Sequence, residues 1–238
     1  GMGGAWDSTN TADGDVAVIA PIDLDHADKL GHTIAEIAAV KAGIIKTDAA
    51  AVSAQQDPSA LDVLTTAAAA RGASLAVEGT AFGLTSQTLA VGGQQLSVRG
   101  LAATYDDLYL PLYGAHQGHN AALAIAAVES LIGAGRQPIA PDVLTDGLAQ
   151  VTSPGRLQLI GVAPTVLIDS AHNPHGARAL VAALGDSFDF DEWGIVLGAF
   201  ADKDIAGIVA TVAPAATQVF VTAPDSERAA DPDALADL

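Results

Sequence analysis

Few residues in this sequence are equipped for chemistry, and they gather in short polar stretches between apolar ones. Ile168 to Gly176 reads IDSAHNPHG, placing an acid, a hydroxyl and two imidazoles close together. It follows the apolar run Thr165 to Ile168 and precedes ARALVAALG, whose apolar residues recur at helical spacing. Asp169 therefore stands at the carboxyl end of an expected strand, and Pro174 suits the first turn of a helix capped by Asn173. Open α/β sheets bind ligands at that edge. The spacing allows two chemistries. Asp169, His172 and His175 could hold the metal of a hydrolase, or the junction could touch a nucleotide at a helix start. The second needs fewer assumptions, because His172 precedes the expected helix and His175 lies inside it, so no common face is assured. Ser170 lacks the G-x-S-x-G elbow of a nucleophilic triad.

Other candidates are similarly placed. DLDHADKLG sets His26 among Asp23, Asp25 and Asp28, a donor set suited to Mg²⁺ or Mn²⁺, although a histidine in an acidic loop is more often a solvated surface feature. Lys41 lies within a helical stretch, where a lysine usually snorkels but near a metal could be chemically modified. GAHQGHN opens an alanine-rich helix and could cap it or reach a base or phosphate. SPGRLQ offers the Arg156 fork, and GAFADKD carries Lys203 past a strand end. These cations stand out because the chain has only 10 Lys and Arg against 28 Asp and Glu, a net charge of -18. That balance argues against nucleic acid as a partner, since affinity there rests on cations meeting phosphates. With no cysteine the chain has neither disulfides nor thiolate metal sites, and no apolar run is long enough to span a bilayer. A cytoplasmic location without membrane contact is expected.

The elements that must position these residues alternate. GDVAVIAPI, AAVSAQQ and SLAVEG read as strands, separated by the helical HTIAEIAAVKAGIIK, with Thr33 and Glu36 at capping-box spacing, and by SALDVLTTAAAARG. Such alternation predicts βαβ units in a mainly parallel sheet with helices on both faces. Between Phe82 and Tyr113 short β-like pieces around Gly92-Gly93 suggest antiparallel hairpins. A helix is predicted from Gly118 to Leu131, and PDVLTDGLAQV reads as another. Beyond Arg156 a fresh α/β alternation begins. The expected domains are 1–152 and 153–238.

Six stretches then occur in order: GMGGAWDSTN, LDHADKLGHTIAEIAAVKAGIIK, HQGHNAALAIAAVE, PGRLQ, DSAHNPHGARAL and GAFADKD. Together they resemble the folylpolyglutamate synthase/dihydrofolate synthase branch of the Mur ligase family, over nearly the whole chain. The resemblance implies a Mur-ligase-like central ATP- and Mg-binding domain followed by a smaller, Rossmann-like α/β C-terminal domain, both partial. It implies an ATP-dependent amide ligase that adds glutamate to dihydropteroate, folylpolyglutamate or both through an acyl phosphate. By motif, His26 would ligate Mg²⁺ (or Mn²⁺), and Lys41 would be carbamylated and help position a second metal or the γ-phosphate. Trp6, Asp7 and Ser8 would approach the pterin. Asn120, Arg156, Asp169 and His172 would contact ATP, with Asp169 on a ribose or orienting Arg156, and His172 facing the phosphates. Lys203 would lie near the incoming glutamate. The partners implied are small molecules, and a monomer is expected.

The sequence also departs from the family pattern. No G-x-x-x-x-G-K-[ST] phosphate loop occurs, and the metal-binding Glu expected before GMGG would precede Gly1. The expectation is therefore an internal fragment that does not turn over ATP alone. Ala5 replaces the usual Arg, Val40 the Glu before the lysine, and Ser153 a frequent aromatic. These departures motivate an alternative, a degenerate homologue that binds nucleotide or folate without catalysis.

Overall fold

The computed structural model describes residues 4, 7–24 and 30–238. Trp6 and His26 lie outside them. The chain divides into two compact units, Gly1–Pro111 with His116–Val151, and Leu112–Ala115 with Thr152–Leu238.

In the first unit, β1 (Val16–Ile19), β2 (Ala50–Ser53) and β3 (Ser74–Val77) form a parallel sheet in that order, with Val16 level with Ala50 and Ala50 with Ser74. Helices α1 (Ile34–Lys41) and α2 (Pro58–Ala70) make the crossovers. Their apolar faces, Ile37 and Ala38 on α1 and Ala60, Leu64 and Ala68 on α2, share a core with Ala17, Ile19 and Ala51 of the strands. The capping box forms: Thr33 accepts from the Glu36 N–H at 3.2 Å, and the Glu36 carboxylate accepts from the Thr33 and His32 N–H groups at 3.0 and 2.8 Å. The helix ends earlier than its pattern suggests. After Lys41 it tightens into a 3₁₀ turn, Ala42–Ile44, a common way to close a helix where Gly43 weakens propensity.

Strands β4 (Gly83–Ala90), β5 (Gly93–Arg99) and β6 (Thr104–Leu110) form the antiparallel meander the Gly92-Gly93 pair suggests, with Gly92 at φ +79° in the tight turn. Helix α3 (Ala115–Gly133) starts earlier than predicted, so the polar GAHQGHN residues from Ala115 onward lie inside its first turns. Its buried face is mostly small and apolar, but it includes one acid. Glu129 is 0% exposed; its carboxylate accepts from the Leu101 N–H at 2.5 Å and the Tyr105 hydroxyl at 2.6 Å. That hydroxyl in turn accepts from the Ile139 N–H at 2.8 Å. One side chain thus ties α3 to β6 and to the segment leading into α4 (Pro141–Ala149).

In the second unit, β7 (Gln158–Val162) and β8 (Thr165–Ile168) pair antiparallel, since the two residues between them are too few for a crossover. After α5 (Pro174–Ser187), β9 (Gly194–Leu197) and β10 (Gln218–Val221) run parallel, connected through α6 (Ile205–Val212); α7 (Pro232–Ala236) follows. Leu157, Ala183 and Leu184 form one small core and Ala177, Ile208 and Val212 another. Among the described residues no helix is long and apolar enough to cross a membrane.

Candidate functional site

In the second unit the PGRLQ and DSAHNP loops are laced together. One oxygen of Asp169 accepts from the Leu157 N–H and the other from the Ala171 N–H, both at 2.7 Å. The Ser170 N–H donates to the Gly155 carbonyl at 2.8 Å. Gly155 and Leu157 both take left-handed backbone, φ +69° and +45°. That conformation is costly for leucine. Burial of its side chain to 4% exposure and the bond from its N–H to Asp169 hold it there. Arg156, between these two residues, is exposed on a backbone that cannot readily turn. Asp169 therefore acts on the backbone beside Arg156 rather than on its guanidinium.

His172 is exposed, with Nδ1 3.0 Å from the Ser170 carbonyl. A carbonyl only accepts, so Nδ1 donates in this contact. Asn173 caps α5, its oxygen accepting from the Gly176 N–H at 2.8 Å, with Pro174 in the first turn as its sequence requires. The GAFADKD loop lies alongside: a Cβ added to Gly207, in the first turn of α6, would come within 2.6 Å of Pro174 Cγ. This close approach sets the starts of α5 and α6 together and brings the Lys203 loop to the His172 loop.

The metal-hydrolase reading fails here. Asp169, His172 and His175 do not form a cluster able to hold an ion, and among the described residues no group of three or more His, Cys, Asp or Glu does. The three side chains are not gathered around one point, and both Asp169 oxygens serve backbone N–H groups instead.

In the first unit, Lys41 is half-buried at the end of α1. The segment carrying Asp7 and Ser8 is strapped to the same end. A Cβ on Gly4 would lie 2.2 Å from the Val40 carbonyl oxygen, so only glycine permits this approach, and its φ of +83° favours glycine as well. Asp7 caps a 3₁₀ turn, Ser8–Thr11, by accepting from the Thr9 N–H at 3.0 Å. Asn10 then donates to the Gly43 carbonyl at 3.3 Å, and the Lys46 ammonium to the Asn10 carbonyl at 2.7 Å. Asn120 is exposed on α3 and donates to Gln117 at 3.2 Å.

Three arrangements could not be read from the sequence. Glu78, buried just past β3, meets His119 Nδ1 at 2.5 Å and accepts from the Gln55 N–H at 3.2 Å. Glu129 is the second. The third is Arg228, which grips Asp202 through two bonds of 2.8 and 2.9 Å while lying 4.7 Å over the Phe200 ring. The hydrogen bond from Arg228 holds the Asp202 carboxyl below its ordinary range. A cavity of about 770 Å³, lined by Asp15, Lys46, Asp48 and Ser74 among others, contains none of the candidate residues.

Residues 155–238 match the family model "Mur ligase, glutamate ligase domain". The dihydrofolate synthase/folylpolyglutamate synthase of Mycobacterium tuberculosis is 48% identical over 99% of this chain and 50% of its own length. The chain belongs to the folylpolyglutamate synthase/dihydrofolate synthase branch of the Mur ligase family. Its fold agrees: the M. tuberculosis folylpolyglutamate synthase complexed with ADP superposes with a TM-score of 0.94, 48% identity and coverage of 99% of this chain and 53% of that one. An FPGS–AMPPCP–folate complex, 33% identical, gives 0.89 over 100% of this chain and 58% of the other. The chain spans about half the length of the relatives it matches. The mixed α/β fold expected from the motifs is thus established, with parallel and antiparallel sheets in one chain.

Proposed function

We propose that this chain forms part of an ATP-dependent ligase that joins L-glutamate to dihydropteroate, folylpolyglutamate or both. The carrying observation is the Asp169 clamp, which fixes the backbone of Arg156 between two left-handed residues and laces it to the loop that carries the exposed His172. A guanidinium carried on a fixed backbone and an imidazole beside the start of a helix suit a polyphosphate, and the likeness to an ADP complex supports that ligand. Asn120 would contribute on the nucleotide from α3. In the reaction a carboxylate oxygen of the pterin substrate takes the γ-phosphoryl group, releasing ADP. The glutamate amine then attacks the acyl phosphate, inorganic phosphate leaves with the broken C–O bond, and the amine gives up a proton. Arg156 and His172 would position the phosphates, Trp6, Asp7 and Ser8 would face the pterin, and Lys203 would meet a glutamate carboxylate.

Mg²⁺ (or Mn²⁺) belongs to the same proposal with His26 as one ligand, and when bound it would neutralise charge on the transferring phosphoryl group. The described residues supply no complete metal cluster. Carbamylation of Lys41 suits its half-buried place at a helix end beside the Asp7–Ser8 strap. The test is glutamate-dependent ADP release by the full gene product, with dihydropteroate and with tetrahydrofolate as acceptors. Release that requires glutamate and one of the acceptors is expected; nucleotide binding without it would favour a non-catalytic homologue, the reading that Ala5 and Val40 motivate.

A further inference from the structure

The Lys203 side chain is only 14% exposed, yet its ion pair is poor: Asp202 lies 3.9 Å from the ammonium. Among the described residues no other carboxylate is recorded within ion-pair distance of it. A competing contact keeps Asp202 from closing that gap. Both its oxygens are taken by the same guanidinium nitrogen of Arg228, at 2.8 and 2.9 Å. Arg228 is itself held from two directions. Its guanidinium lies over the Phe200 ring, and its carbonyl accepts from the Ala201 N–H at 2.9 Å, so the 226–230 segment runs along the GAFADKD loop as a brace. The loop has further ties of its own: the Lys203 N–H donates to the Phe200 carbonyl and Asp204 caps α6. A lysine beside a neighbouring aspartate would ordinarily be neutralised by it. Here the aspartate is drawn off.

We propose that Arg228 is a positioning residue that sequesters Asp202, keeping the Lys203 ammonium available for a carboxylate of the incoming amino acid. The inference rests on the reading of Lys203 as the glutamate contact. When Arg228 is removed, Asp202 is released to pair with Lys203, and glutamate must compete with an internal carboxylate for the same cation. Coulomb attraction rises as the 3.9 Å gap closes, and the partial exposure of Asp202 screens the gain. The predicted rise in KM for glutamate is therefore about three- to ten-fold.

The experiment uses the full gene product with L-glutamate as the varied substrate and ADP release as readout. Arg228→Ala should raise KM for glutamate with kcat and KM for ATP nearly unchanged, and Arg228→Lys should recover part of the loss. Adding Asp202→Asn to Arg228→Ala should bring KM back toward the parent value, because the competing charge is gone. A brace that only supports the loop would not be rescued by Asp202→Asn, so a double variant no better than Arg228→Ala overturns the proposal, as does an Arg228→Ala variant with unchanged KM. Lys203→Ala separates the two layers. If it leaves KM for glutamate unchanged, the reading of Lys203 fails and this inference with it; if it raises KM while Arg228→Ala does not, the sequestration alone fails.

Discussion

Replacing Glu129 by Gln should be among the most damaging conservative changes in the chain. The carboxylate is 0% exposed and accepts from two donors, the Leu101 N–H at 2.5 Å and the Tyr105 hydroxyl at 2.6 Å. A carboxamide offers one oxygen and turns the other position into a donor, so one of those hydrogens must face another hydrogen. Loss of a bond to a charged acceptor costs about 1.5–3 kcal/mol, and stranding a buried donor about 1–3 kcal/mol. The expected loss is about 3–5 kcal/mol, a large share of the roughly 5–15 kcal/mol that ordinarily separates folded from unfolded chains. Urea unfolding followed by circular dichroism measures it, and hydrogen exchange localises it to the Leu101 and Ile139 amides. Should the variant fail to fold, Tyr105→Phe gives a gentler version, losing the bond to Glu129 and the one from Ile139 for about 2–3 kcal/mol. The same network has a pH signature. Burial, reinforced by the Glu129 bond, pushes the Tyr105 hydroxyl up to about 12. Its stabilisation is complete below the ordinary tyrosine range near pH 10 and is lost as pH rises through about 12, a loss that Tyr105→Phe should abolish. A Glu129→Gln loss below about 1 kcal/mol would refute the reasoning, because it would mean the two donors find other acceptors.

Further outcomes concern the candidate site. Lys41→Ala should remove most of the ligase rate in the full gene product, with partial recovery in a short free carboxylate; unchanged turnover removes the carbamate from the scheme. Asp169→Asn should cost the second unit about 1–3 kcal/mol and weaken ATP binding, since one of two backbone donors loses its acceptor; unchanged nucleotide affinity by calorimetry would detach Arg156 from this clamp. Gly4→Ala should cost about 1–3 kcal/mol in strain and raise KM for the pterin substrate, and faster proteolysis near Ser8–Thr11 would report release of the strap. Hydrogen bonds, first from the His32 N–H, hold the Glu36 carboxyl below its ordinary range, so the contribution of the capping box is present above that range and fades as pH falls through the lowered value. Amide protection at the start of α1, corrected for the intrinsic exchange rate, should fall in acid, and Glu36→Gln should flatten that dependence.

Local rules made much of this fold legible. The Thr33–Glu36 capping box, the Asn173–Pro174 helix start, the parallel βαβ alternation and the Gly92-Gly93 hairpin each depend on residues near one another in sequence, where spacing alone carries the signal. What stayed hidden depends on distant partners. Glu129 reaches 28 residues back to Leu101, His119 lies 41 residues from Glu78, and Arg228 lies 26 from Asp202. Nothing in ALAIAAVES marks Glu129 as a buried acid rather than a solvated one. Asp169 is legible from its place at a strand end, but its use of both oxygens on backbone depends on Leu157 folding against it.

On the proposed reading of the Asp7–Ser8 strap as the pterin-facing segment, the contact between Gly4 and Val40 bears on any attempt to change the acceptor. At that point the chain is shaped by a missing atom: the strap seats against the helix because position 4 carries no side chain. Libraries aimed at new acceptor acids would waste their diversity there, since every substituent pries the strap off the turn that ends in Lys41. Variation belongs instead at exposed Ser8, where chemistry can change while the Asp7 cap and the seat stay intact.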